Sequence, residues 1–107
     1  MSAIEPPRAP DYQIKEGTAV VETVVFADSA GAPYTPSTTP TAFRTNCRTG
    51  ATESITFTYN GSAADGYGIE DVPNAEGVWL YEWRGQDSSQ PDITGDRVVR
   101  VTKSAAF

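Results

Sequence analysis

Apolar and polar side chains alternate along this chain with a period of two, and turn-forming residues cut the alternation every several positions. Successive side chains of an extended strand point to opposite faces, so such alternation reads as strands with one buried face. Helical spacing is not sustained over ten residues anywhere, and the pattern predicts an all-β chain. Residues 18–27 (TAVVETVVFA) are rich in β-branched side chains and form a long strand candidate. Its parity stays open: Val21, Thr23 and Val25 compete with Val20, Val24 and Phe26, a set that includes Glu22. Asp28, Gly31 and Pro33 supply turn chemistry, and Pro33, Pro36 and Pro40 argue against a central strand over residues 33–40. Residues 41–48 (TAFRTNCR) alternate Ala42, Arg44 and Asn46 with Phe43, Thr45 and Cys47. Residues 52–59 (TESITFTY) place Ile55, Phe57 and Tyr59 on one face, and Asn60-Gly61 is a two-residue hairpin signal.

The second half keeps the rhythm. Residues 66–72 (GYGIEDV) form a short strand candidate closed by the turn PNAEG. Residues 78–84 (VWLYEWR) set Trp79, Tyr81 and Trp83 on one face, and residues 85–96 (GQDSSQPDITGD) read as a long polar loop. The last strand, residues 97–103, sets Val99 and Val101 against Val98, Arg100 and Thr102. Short strands punctuated at this spacing predict a β-sandwich, with a small closed barrel as the alternative.

Composition narrows the function classes. A chain of 107 residues makes one domain, burying roughly 65% of its unfolded surface. Fourteen acidic against eight basic side chains give a net charge of −6, which argues against nucleic acid as a partner, because phosphate binding needs a cationic face. No apolar run reaches the roughly 18–20 residues of a membrane span, and the opening segment lacks the apolar centre of a secretory signal. Histidine, the commonest general base and metal ligand, is absent. Cys47 stands alone, so no disulfide forms within the chain and a buried structural thiol is expected, even with Arg44 and Arg48 close in sequence.

Candidate chemistry is sparse. Glu70, Asp71 and Glu76 surround one turn, and Asp87, Asp92 and Asp96 share the long loop. Glycoside hydrolysis needs two carboxylates across a cleft, and solvated loop acids are the simpler expectation. Calcium accepts loop carboxylates, but no D-x-D-x-D-G loop is present, so no metal site is expected. Asn60-Gly61-Ser62 matches a glycosylation sequon and reads as a turn. No nucleophile–base pair assembles, so no catalytic residue, no enzymatic activity and no cofactor are expected. The row Trp79, Tyr81 and Trp83 is core in one reading and a glycan-stacking platform in the other.

The first ten residues (MSAIEPPRAP) form an arm of their own. Pro6, Pro7 and Pro10 favour extended or polyproline backbone. Such an arm lies along its own domain or across a neighbouring subunit. The second is the expectation, with Ile4 as apolar anchor and Pro6, Pro7, Arg8 and Pro10 completing the partner-binding set.

Two stretches carry a family resemblance. EGTAVVETVVFADSAGAPYTP pairs Gly17 and a β-branched strand to Phe26 with the turn residues Asp28 and Gly31 and the prolines Pro33 and Pro36. GVWLYEWRG, residues 77–85, has the form G-x-W-x-Y-x-W-x-G. Together with Val99 and Val101 ahead of Lys103-Ser104, these stretches resemble the small immunoglobulin-like virion structural proteins of tailed bacteriophages over about residues 13–104. The resemblance implies an immunoglobulin-like or fibronectin-type β-sandwich of about seven strands over residues 13–107, preceded by an extended arm over residues 1–12. It implies that Trp79, Tyr81, Trp83, Val99 and Val101 are core. It further implies a non-catalytic capsid decoration or head/neck connector, multimeric on the particle and bound to the major capsid protein or to portal or neck proteins. Such a protein assembles in the host cytoplasm. Residues 41–68, polar and rich in threonine, depart from that pattern. An adhesive or carbohydrate-binding module is the alternative.

Overall fold

The computed structural model describes residues 3–103; Met1 and Ser2 of the arm and residues 104–107 at the end of the domain lie outside the described residues. Eight strands and no helix are formed there: β1 (Tyr12–Lys15), β2 (Val20–Val24), β3 (Thr38–Asn46), β4 (Thr52–Ile55), β5 (Thr58–Tyr59), β6 (Tyr67–Asp71), β7 (Gly77–Asp87) and β8 (Gln90–Thr102). One sheet has five strands in the order β1-β8-β7-β3-β4, and the other has three in the order β2-β6-β5. All neighbours are antiparallel except β1, which runs parallel to β8 with Tyr12 opposite Val99. The all-β expectation holds.

The core lies between the sheets. Val20, Val24, Phe26, Tyr67 and Ile69 come from the smaller sheet and its flank; Ala42, Trp79, Tyr81, Trp83, Val99 and Val101 come from the larger. Strand β2 therefore turns its even positions inward. Glu22 goes with them because its carboxylate accepts hydrogen bonds from the Tyr12 hydroxyl (2.7 Å) and the Arg97 guanidinium (3.1 Å). Phe26, Phe57, Tyr67 and Tyr59 continue the core as an aromatic cluster with edge-on and tilted ring pairs, the geometry that ring quadrupoles favour.

Several local expectations are corrected. Residues 85–96 are no loop: β7 and β8 pair through them, and only Ser88 and Ser89 lie between the strands. The stretch 52–59 is two strands, because the chain crosses between sheets at Thr56 and Phe57 while Ile55 and Phe57 both pack on the core. Asn60-Gly61 opens a seven-residue connection, residues 60–66, between β5 and β6, closed by the Asn60 amide on the Gly66 carbonyl (2.9 Å). Pro40 sits inside β3, which lies between β7 and β4; the pairing with β7 shifts register between Thr38 and Thr41, so no ladder donor is demanded of it.

Long hairpin strands make the molecule elongated. Its radius of gyration is 15.0 Å, against about 13 Å for a compact domain of this length.

Candidate functional site: the arm and the outer face of the larger sheet

Strand alternation leaves a second set of side chains facing away from the core. In register across the five-stranded sheet, one outer row is Thr52, Thr45, Leu80 and Val98; the next is Ser54, Phe43, Glu82 and Asp96; the third is Thr41, Arg84 and Thr94. Among the described residues no second sheet covers this face, yet Cys47, Leu80 and Val98 are buried as a small cluster with Val78 packed against them.

The arm is tied down at both ends of this strip. The Ile4 amide donates to the Cys47 carbonyl (2.8 Å), just past the end of β3. At its other end, the Asp11 amide donates to the Val98 carbonyl (2.7 Å) and the Asp11 carboxylate accepts the Val98 amide (2.8 Å) on β8. Strand β7 lies between β3 and β8, so the arm crosses it. A bend at residues 7–9 makes the crossing geometry. Arg8 clasps that bend, with its guanidinium on the Asp11 carboxylate (2.7 Å) and on Asp96 (2.6 Å). The Arg8 hydrogen bond, followed by the Val98 amide, holds the Asp11 carboxyl down at about 2. Of the residues proposed for partner binding, Pro6 is half-buried, while Pro7, Arg8, Pro10 and Ile4 are exposed, Ile4 at 40%. Within a single chain the arm lies on its own domain.

Cys47 is a buried thiol, as its solitary place in the sequence predicts, and burial pushes its pKa up. A raised pKa keeps it in the unreactive thiol form near neutrality.

Above the arm, the outer face is concave. A groove of about 620 Å³ is lined by Phe43, Thr52, Glu82, Arg84, Thr94 and Asp96. Phe43 is 37% exposed on β3, one strand in from the β4 edge. Strand alternation already separates Phe43 from Ala42 and Arg44; what the sequence does not show is that the small and the charged residues face inward there. Arg44 does so because its guanidinium meets Asp71 (2.9 Å) and lies over the Trp79 ring, 5.2 Å from its centre.

The other sequence candidates are dispersed. Trp79, Tyr81 and Trp83 are core side chains, 1%, 0% and 8% exposed, so none offers a ring face for sugar stacking. Asp87 holds the hairpin end, accepting from Ser89 and from the Ser37 amide (2.7 Å), and these bonds lower its pKa. Asp92 pairs with Arg84, and Asp96 with Arg8. Asp71 bonds Arg44 and the Tyr81 hydroxyl (2.6 Å), whereas Glu70 and Glu76 are exposed. Among the described residues, no three acidic or cysteine side chains gather where one metal ion would be held.

Comparison with protein-family models, with curated proteins and with solved structures returns no match for this chain.

Proposed function

We propose that the chain is an immunoglobulin-like, non-catalytic virion subunit of a tailed phage, a decoration or head/neck connector attached through its arm and an open sheet edge. The observation that carries the reading is the strand arrangement. A first strand parallel to the last, at the edge of a β8-β7-β3-β4 sheet, faces a β2-β6-β5 sheet across a core rich in aromatics. Some immunoglobulin-type sandwiches carry a tyrosine near the start of the penultimate strand whose hydroxyl bonds back to the backbone upstream, and a tryptophan takes an analogous place in this chain. It is Trp79, its indole N–H donating to the Ala75 carbonyl (3.0 Å).

The edge is open on β8. Its partner β1 begins opposite Val99, and the Asp11 backbone reaches Val98, so residues 90–97 are paired on the β7 side alone among the described strands. Unpaired backbone of this kind accepts a strand from a neighbour. Running back from β1, the arm passes that edge before it crosses the outer face, and Arg8 holds Asp96 there. Support for the lattice role comes also from the surface: a net charge of −6 keeps closely packed copies soluble.

Mass spectrometry of purified particles of the phage encoding this chain tests the reading. The expected result is the chain at fixed stoichiometry, with a variant lacking residues 1–10 folded by circular dichroism and missing from the particles. Particles that never contain the chain, or that take up the truncated form at full occupancy, refute it.

A further inference from the structure

The groove above the arm combines an exposed aromatic ring with a pair of facing acids. It is lined by Phe43, an aromatic ring left open to solvent on β3, one strand in from the β4 edge. Beside it, Glu82 on β7 stands directly opposite Asp96 on β8, on the same face. Like charges at facing positions of an antiparallel pair repel. Arg8 answers only one of them: it bonds Asp96, while Glu82 has no ion pair among the described residues. The face thus holds one unneutralised acid next to one uncovered aromatic ring.

Directly below, the molecule shows what this sheet accepts. The arm is a segment with prolines and one arginine; it is tied by backbone hydrogen bonds to Cys47 and Val98, at the two ends of the buried outer strip, and sets its cation on an acid of the same face. We propose that the groove is a second docking site of the same kind, taking an extended segment of a partner protein that presents a lysine or arginine beside an apolar side chain. The apolar group covers Phe43, and the cation sits against Glu82 next to Asp96. Thr52, Thr94 and Arg84 along the rim are hydrogen-bonding groups for the backbone of such a segment. A volume of about 620 Å³ fits a few side chains of a peptide. A neutral sugar leaves the Glu82 charge unanswered. A second copy brings another net −6, and its arm cation is held at its own Asp96. This inference needs the sheet and the arm alone, and stands or falls apart from the virion reading.

The test pans a library of displayed, unstructured twelve-residue peptides against the full folded chain, then titrates the enriched sequences, as synthetic peptides, into the ¹⁵N-labelled protein. Enriched peptides are expected to carry lysine or arginine adjacent to an apolar residue and to shift amides around Phe43, Glu82 and Thr94. Glu82→Lys is expected to weaken binding at least about tenfold, and raised salt to weaken it further. Phe43→Thr is expected to abolish binding; if that variant unfolds, Glu82→Gln, at an exposed position, carries the test with a severalfold loss. No enrichment, enrichment without cationic residues, or binding indifferent to both Glu82 substitutions overturns the proposal. Binding of a neutral glycan at these amides, unchanged by Glu82→Gln, overturns it in favour of a sugar site.

Discussion

Gly85 and Gly95 lie in a stretch that reads as loop, and both turn out to be strand positions where a ring occupies the side-chain space. A Cβ on Gly85 would run into the Phe26 ring, and one on Gly95 into the Trp83 indole. Trp83 stands opposite Gly95 across the β7–β8 pair, so its indole lies over the bare backbone of the neighbouring strand. Gly95→Ala is therefore expected to displace a core tryptophan and to cost about 1–3 kcal/mol, the usual penalty of overpacking. Urea unfolding followed by tryptophan fluorescence measures it, with Thr94→Ala on the exposed face as a near-neutral control. An unchanged midpoint in Gly95→Ala contradicts the wedge. These two glycines also mark where reading the sequence stops. Glycine between polar residues signals a turn, and nothing in residues 85–96 reveals that the aromatic filling the gap comes from residue 26 or 83. The row Trp79, Tyr81 and Trp83 was legible as one face, by contrast, because strict alternation of large rings needs no knowledge of a partner strand; whether that face is core or a stacking platform, alternation alone left open.

Among the elements, the arm couples charge to packing. It is tied to the Cys47 and Val98 ends of the buried outer strip, and Arg8 fixes its bend through two carboxylates. Exposed ion pairs add little singly, but this one also positions a backbone tie from Asp11 to Val98. Acid opens it in a defined window. The docked Asp11 carboxyl titrates at about 2, against an ordinary value of 3.8, so docking binds the proton less well than the free arm does. Docking support is complete above about pH 4 and fades as pH falls through about 2. The Val98 amide resonance is expected to move over that window in the wild type and to stay flat in Asp11→Asn. At neutral pH, Arg8→Ala is expected to raise the rate of Cys47 labelling by a small thiol reagent about tenfold or more, through local opening of the arm. Equal labelling rates in the two proteins rule the clasp out. The proline pattern made the arm visible in sequence. Its resting place was not, because the decisive contact joins residue 8 to residue 96, and spacing along the chain carries no trace of it.

At the scale of the whole molecule, the two sheets are joined by more than the apolar core. Glu22 of the small sheet reaches Arg97 and Tyr12 of the large one, and Arg44 and Tyr81 of the large sheet reach Asp71 of the small one. Each tie ends in an arginine over a core indole, Arg97 over Trp83 at 5.8 Å and Arg44 over Trp79 at 5.2 Å. The ties differ in depth. The Arg44 and Asp71 side chains are 12% and 19% exposed, whereas Arg97 beside Glu22 is 44% exposed. Losing one partner of a buried pair strands the other charge away from water and costs about 3–5 kcal/mol, while a solvated survivor is screened. Asp71→Asn removes the nearer and more buried of two countercharges from Arg44, leaving the exposed Glu53 carboxylate at 3.3 Å, while the Arg44 Nε is already buried without a hydrogen-bond partner. This substitution is expected to destabilise by about 3 kcal/mol, the low end of that range, because both side chains keep some contact with water. Glu22→Gln keeps an acceptor for Tyr12 and leaves an arginine that solvent reaches, so its expected loss is about 1 kcal/mol. Urea unfolding of both variants at pH 7 gives the ranking, and raising the salt concentration is expected to narrow the Glu22 deficit more than the Asp71 deficit. Equal losses mean that depth of burial does not rank the two ties, and an Asp71→Asn variant as stable as the wild type means that the Arg44 tie contributes nothing to closing the sheets.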